Sequence, residues 1–142
     1  MTPAQKDLVQ GTWALVVPIA DTATAMFYER LFEIDPGSKE LFQKTDLAEQ
    51  RLKLLQVLSV AISGLDDLGR LIPIVEELGR RHAGYGVKDA HYDSVGSALL
   101  WTLQKGLGTA WNAETAAAWT EVYGVLSGVM RRAQKDAARS LN

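Results

Sequence analysis

Apolar residues recur at helical spacing along almost the whole chain, which confines it to helical folds. Trp119, Val122, Tyr123, Leu126, Val129, Met130 and Ala133 share one helix face. Leu47, Leu54, Leu55, Leu58, Ala61, Ile62 and Leu65 make a second stripe, and Tyr92, Val95, Leu99, Leu103 and Leu107 a third. Strand-like alternation is never sustained over four residues or more.

Start and stop signals agree with this period. Thr2-Pro3-Ala4-Gln5 puts a capping residue before a first-turn proline, with Gln three positions after Thr. Asp46 with Glu49 repeats that logic, Asp89 stands before the third stripe, and Asn112 with Glu114 opens the last. Gly64, Gly84 and Gly108 each follow an apolar stretch, as helix-ending glycines do. Pro18, Pro36 and Pro73 are expected at helix boundaries or first turns. The pattern predicts helices over about 3–17, 19–35, 36–42, 47–65, 68–84, 90–107 and 113–138. Short loops join them, with no repeat or linker, so residues 1–142 are expected to form one all-α domain around one core.

Composition narrows the functional classes. With 47% hydrophobic and 23% charged residues, the chain can fill a sizeable core. Lys+Arg 15 against Asp+Glu 17 leaves a net charge of −2, so no basic field draws in nucleic acid. The absence of cysteine removes disulfides, thiolate metal sites and cysteine nucleophiles together. The longest apolar run, residues 14–20, is broken by Pro18 and falls far below the ~18 residues of a membrane span. Lys6 and Asp7 precede any hydrophobic stretch, unlike a secretory signal. A cytoplasmic monomer without membrane or nucleic-acid partners is the expectation.

His82 and His91 are the only imidazoles, and their spacing matches no zinc or di-iron motif. Gly84-Tyr85-Gly86 follows a helix instead of a strand and lacks the third glycine of a dinucleotide loop. No serine stands in a Gly-x-Ser-x-Gly elbow. Gly124-Val125-Leu126-Ser127-Gly128 reads as close packing against a neighbouring soluble helix. Arg131, Arg132, Lys135 and Arg139 read as solvated cations near the C-terminal end of the last helix. His82 is harder to set aside. Leu78 lies one turn earlier on the same face, where an apolar side chain can lie against a planar ligand while the imidazole binds a metal.

Leu78-Gly79-Arg80-Arg81-His82 followed by Gly86-Val87-Lys88 resembles the proximal-histidine segment of the globin family. Val95-Gly96, Leu99-Leu100, Ala117-Ala118-Trp119 and Val122-Tyr123-Gly124 continue the match. Phe27-Tyr28, Leu31-Phe32, Pro36 and Leu41-Phe42-Gln43 carry it to the front, so that it covers residues 3–133. The likeness is greatest to neuroglobins and bacterial single-domain haemoglobins.

That resemblance implies a three-over-three helical sandwich around haem b, with His82 as the proximal iron ligand. Phe42 would wedge against the haem edge, and Leu54 would stand above the iron. Leu78, Tyr85, Val87, Tyr92, Val95 and Leu126 would line the pocket, and Lys53 would reach a propionate. Tyr28 and Gln50 would be distal hydrogen-bond donors to the gas ligand. The residues alone also permit plainer roles. Phe42, Leu54, Val95 and Leu126 suit any helical core, Lys53 suits solvent, and Tyr28 suits a buried tyrosine bonded to a carbonyl. His91 reads as a surface or helix-start histidine.

The resemblance further implies reversible binding of O₂, NO or CO at a five-coordinate iron. Gln50 stands where neuroglobins carry the histidine that takes the sixth position. Tyr92 fits the tyrosine that flavohaemoglobin-type globins pair with a glutamate, but the count from Trp119 places the neutral Gln134 at the glutamate. A neutral amide there argues against peroxidase-like chemistry. The alternative activity is nitric oxide dioxygenation, which needs electrons from a separate reductase.

Overall fold

A computed structural model describes residues 1–141 as six α-helices joined by short loops and single 3₁₀ segments. They are α1 (Pro3–Val16), α2 (Ala20–Ile34), α3 (Leu47–Ser63), α4 (Leu68–Gly84), α5 (Asp89–Leu107) and α6 (Ala113–Leu141). Among the described residues there is no strand. The helix expected at 36–42 is the 3₁₀ segment Pro36–Phe42 between α2 and α3.

Most caps are where the sequence puts them. The Thr2 hydroxyl accepts from Gln5 N while the Gln5 side chain accepts from Thr2 N, a complete capping box. Asp46 accepts from Ala48 N at 2.8 Å, and Asn112 from Thr115 N at 2.9 Å. At α5 the cap differs. Asp89 is the first helical residue, and the His91 ring takes the Lys88 N–H at 2.8 Å. Pro73 also departs from expectation, because it lies inside α4. Its missing N–H forgoes a bond to the carbonyl of Gly69, which is exposed and therefore open to water.

Three helices (α1, α3, α4) lie over three (α2, α5, α6). α4 and α1 rest on α6, and α2 rests on α5. The shared core holds Val9, Trp13, Phe27, Leu31, Leu71, Leu103, Trp119 and Val122. Trp119 Nε1–H donates to Thr12 Oγ1 at 2.9 Å, joining α6 to α1 without leaving the buried indole unpaired. The close helix approach expected at Gly124–Gly128 is absent, since a Cβ at either position meets nothing within 4 Å. Gly79 makes that approach instead. A Cβ there would sit 2.3 Å from the Met130 carbonyl oxygen, so α4 can lie on α6 only because residue 79 lacks one.

α3 rests on α1 and α2, whereas α4 rests on α6. The two are joined through the turn Gly64–Asp66 and diverge into a slot, which positions the site.

Candidate functional site

Apolar side chains of α3 and α4 line the slot. A cavity of about 160 Å³ opens between Val57, Val60 and Ala61 on one side and Leu71, Ile74, Val75 and Leu78 on the other. Val57, Val60 and Ile74 remain 38–50% exposed there, so the slot presents a contiguous apolar surface. Leu78 borders this cavity, and His82 follows it by one turn on the same face of α4.

The two nitrogens of the half-buried His82 ring are unequal. Nδ1 lies 2.6 Å from the Leu78 carbonyl oxygen, which can only accept, so Nδ1 carries the proton. Nε2 has no hydrogen-bond partner among the described residues. Burial pushes the pKa of His82 below its ordinary value, against the opposing pull of the Leu78 carbonyl. The ring is therefore held neutral, with a lone pair on Nε2.

Two aromatic rings, Tyr92 and Tyr85, border His82, and a hydrogen-bond network holds the first. The buried Tyr92 ring lies nearly parallel to the imidazole, at 6.1 Å between centroids and 25° between planes. Tyr92 Oη donates to Gln134 Oε1 at 2.5 Å, and Gln134 Nε2 donates to the Val87 carbonyl at 2.5 Å. Tyr123 Oη donates to the Tyr92 carbonyl. Burial pushes the Tyr92 phenol up to about 12, with the Arg131 guanidinium opposing. Tyr85 is 63% exposed and borders the His82 ring from the surface, at 5.9 Å between centroids.

A second group, aromatic and polar, gathers around Tyr28 on α2. Tyr28 is 5% exposed, with Phe27 edge-on at 5.0 Å and Phe42 edge-on at 5.5 Å. Burial raises its pKa, while a hydrogen bond with the Gln50 side chain acts in the opposite sense. The phenol thus stays protonated beside the half-buried amide. Leu54, one turn after Gln50, borders a second interior cavity of about 20 Å³ with Phe27, Leu58 and Leu99. Val95 and Leu126 are half-buried against the core, and Lys53 is exposed on α3.

The fold therefore brings Tyr28, Phe42 and Gln50 together, and groups His82 with Leu78, Tyr85, Tyr92, Val87 and Gln134. His91 stays apart, committed to the start of α5. Arg131 is a residue that sequence reasoning misplaced. Instead of being solvated, it is half-buried, bonded to Asp93 at 2.7 Å and 5.0 Å from the centre of the Tyr92 ring. Asp89 and Asp93 both fall on α5, and their spacing was the one available signal for a basic partner.

A globin family model matches residues 25–130. The chain belongs to the globin family. This globin is 32% identical to a neuroglobin of Tetraodon nigroviridis over 145 aligned positions, which cover 93% of the chain and 91% of that protein. It is 30% identical to a neuroglobin of Chaenocephalus aceratus, over 92% and 90% of the two chains. A flavohemoprotein of Bacillus subtilis is 30% identical over 132 residues, which span 92% of this globin but only 33% of that relative. The crystal structure of a hexacoordinated haem protein from an anhydrobiotic tardigrade superposes with a TM-score of 0.87. It covers 95% of this globin and 96% of the other chain at 18% identity, a likeness of fold.

Proposed function

We propose that this globin holds haem b between α3 and α4 through His82 and binds a diatomic gas, serving O₂ binding or scavenging. The observation that carries the reading is the His82 ring. One nitrogen is committed to the Leu78 carbonyl, and the other keeps a free lone pair on the helix face that borders an apolar slot. When bound, haem b supplies a ferrous iron with one position open to O₂, NO or CO.

The chain's own residues account for the rest. Leu78, Val87, Tyr92, Val95 and Leu126 offer apolar surface on the His82 side or at the pocket floor. Phe42 and Leu54 offer it on the other side. Tyr85 stands at the rim, and Lys53, exposed on α3, suits a propionate. Tyr28 and Gln50 donate hydrogen bonds where a gas ligand gathers negative charge, each contributing about 1.5–3 kcal/mol. O₂ gathers more such charge than CO, so the pair discriminates between them.

A five-coordinate ferrous state follows from the same side chains. The Gln50 amide is a poor iron ligand, the Tyr28 phenol is kept protonated by burial, and His91 is engaged at the start of α5. Difference spectra of the reduced protein under O₂, CO and NO test the reading. Saturable shifts with all three gases are expected, and no shift with any would refute it.

The likeness to the flavohemoprotein favours a second reading, nitric oxide dioxygenation, in which NO, O₂ and one electron give nitrate. The electron would come from a separate reductase. Sustained NO consumption with NAD(P)H and cell extract distinguishes this enzyme from a binding protein.

A further inference from the structure

We propose that the outward face of α6 is the contact surface of a weak homodimer, in which two copies of this chain cross antiparallel about a two-fold axis between Gly124 and Gly128. Gly124 lies two residues after the buried Val122, and Gly128 two residues before Met130, which meets α4. Both glycines therefore fall on the side of the helix turned away from the core. They sit in the interior of α6, where glycine costs helix stability relative to alanine. A Cβ at either position would meet nothing within 4 Å, so no close approach within the described residues accounts for them. Gly79 shows what a glycine in this fold does when a neighbouring backbone comes close. Gly124 and Gly128 leave room for such a neighbour from outside, and Val125, 39% exposed, adds apolar surface beside them.

Charge selects the occupant. Glu121, Gly124, Gly128, Arg132, Lys135 and Arg139 advance by three or four residues and form one stripe, acidic before the glycines and basic after them. Glu114, one heptad before Glu121, extends the acidic end. A partner of single sign would be attracted along one half of this stripe and repelled along the other. A second copy running the opposite way meets opposite charge along both halves. At about 1.5 Å per residue, Glu121 lies about 7.5 Å before the midpoint of the glycines and Arg132 about 9 Å after it, so each faces the other across the axis. The two-fold makes that pair twice, and it sets Glu114 level with Arg139 of the second copy. Glu114, Arg132 and Lys135 have no ion-pair partner among the described residues. Glu121 holds the N-terminal ammonium through Oε1 only, at 3.2 Å, and Arg139 reaches Asp136 at 4.0 Å. One helix face is a small contact, so the dimer depends on concentration and gives way to the monomer expected from sequence on dilution.

Sedimentation velocity of the full-length protein as purified, from about 10 µM to about 1 mM, tests this. A monomer–dimer equilibrium is expected, weakened about threefold or more as sodium chloride rises from about 0.05 to about 0.5 M. Gly124→Leu has room in the monomer, so helical circular dichroism and the denaturant midpoint of dilute protein should stay near wild type while the dimer is lost. Glu121→Lys and Arg132→Glu should each weaken association about tenfold or more, because each change acts twice. Equimolar mixing of these two variants should restore association, since the two-fold sets the new lysine against the new glutamate and keeps Arg132 against Glu121. If Gly124→Leu does not fold, the charge variants and their mixture decide the matter. A monomer at every concentration overturns the proposal. A dimer indifferent to Gly124→Leu and to both charge reversals also overturns it, because another surface would then be in use. Failure of the mixture to associate overturns it as well, since an antiparallel pair requires that rescue.

Discussion

His82 Nδ1 and the Leu78 carbonyl oxygen lie 2.6 Å apart, within one turn of α4, so the imidazole is already oriented and its tautomer fixed by the backbone. Burial holds the folded-state pKa of His82 below its ordinary value of 6.5. The unfolded chain therefore binds this proton more readily than the folded one. The stability that a neutral His82 contributes is present above about pH 6.5 and is lost as pH falls through the folded-state pKa. Urea unfolding of the cofactor-free chain between about pH 8 and about pH 5 checks this. Wild type should lose more stability toward acid than His82→Leu, and parallel curves would contradict the assignment.

Tyr28→Phe removes a donor with little change in volume, so the edge-on packing with Phe27 and Phe42 survives. O₂ dissociation should accelerate about tenfold or more, and CO dissociation much less. Gln50→Leu should act in the same direction. Because the two side chains would share one acceptor, the double variant should depart from the product of the singles. Laser-flash and stopped-flow rates measure all of these, and equal shifts for O₂ and CO would mean that the effect is steric.

The dithionite-reduced protein should show the broad visible band of a five-coordinate ferrous haem. A sharply split band would mean that Gln50, Tyr28 or a displaced His91 reaches the iron.

Gly79→Ala places a methyl group against the Met130 backbone, which cannot rotate out of the way as a side chain can. The α4–α6 contact must widen, at a cost of about 1–3 kcal/mol in unfolding free energy. Gly124→Ala, with open space around it, should be neutral or slightly stabilising through helix propensity. Denaturant midpoints of the two variants give the comparison.

The fold was legible because each helix carries its own stripe, and most carry their own cap. Thr2, Asp46 and Asn112 act within three residues of themselves, so local sequence suffices. The α5 cap was missed because a histidine at the third helical position does the work that Asp89 seemed placed to do. Pro73 was misplaced because its cost depends on whether water reaches the Gly69 carbonyl, a tertiary property. That His82 and the Leu78 side chain share a face of α4 was readable from one helical turn. The role of Arg131 was not, because its partners Asp89 and Asp93 lie about forty residues away on another helix. Nor did the stripe of α3 show that Val57 and Val60 face a cavity instead of the core, which depends on how α4 diverges.

The central claim is that His82 binds the haem iron, and the most direct measurement is the ultraviolet–visible spectrum of purified wild type and His82→Ala, with pyridine-haemochrome content, before and after dithionite. The wild type should show a Soret band that shifts on reduction and about one haem per chain. His82→Ala should lose the haem or most of its retention. A wild type without a Soret band, or a His82→Ala variant with normal haem content and an unchanged spectrum, would contradict the account.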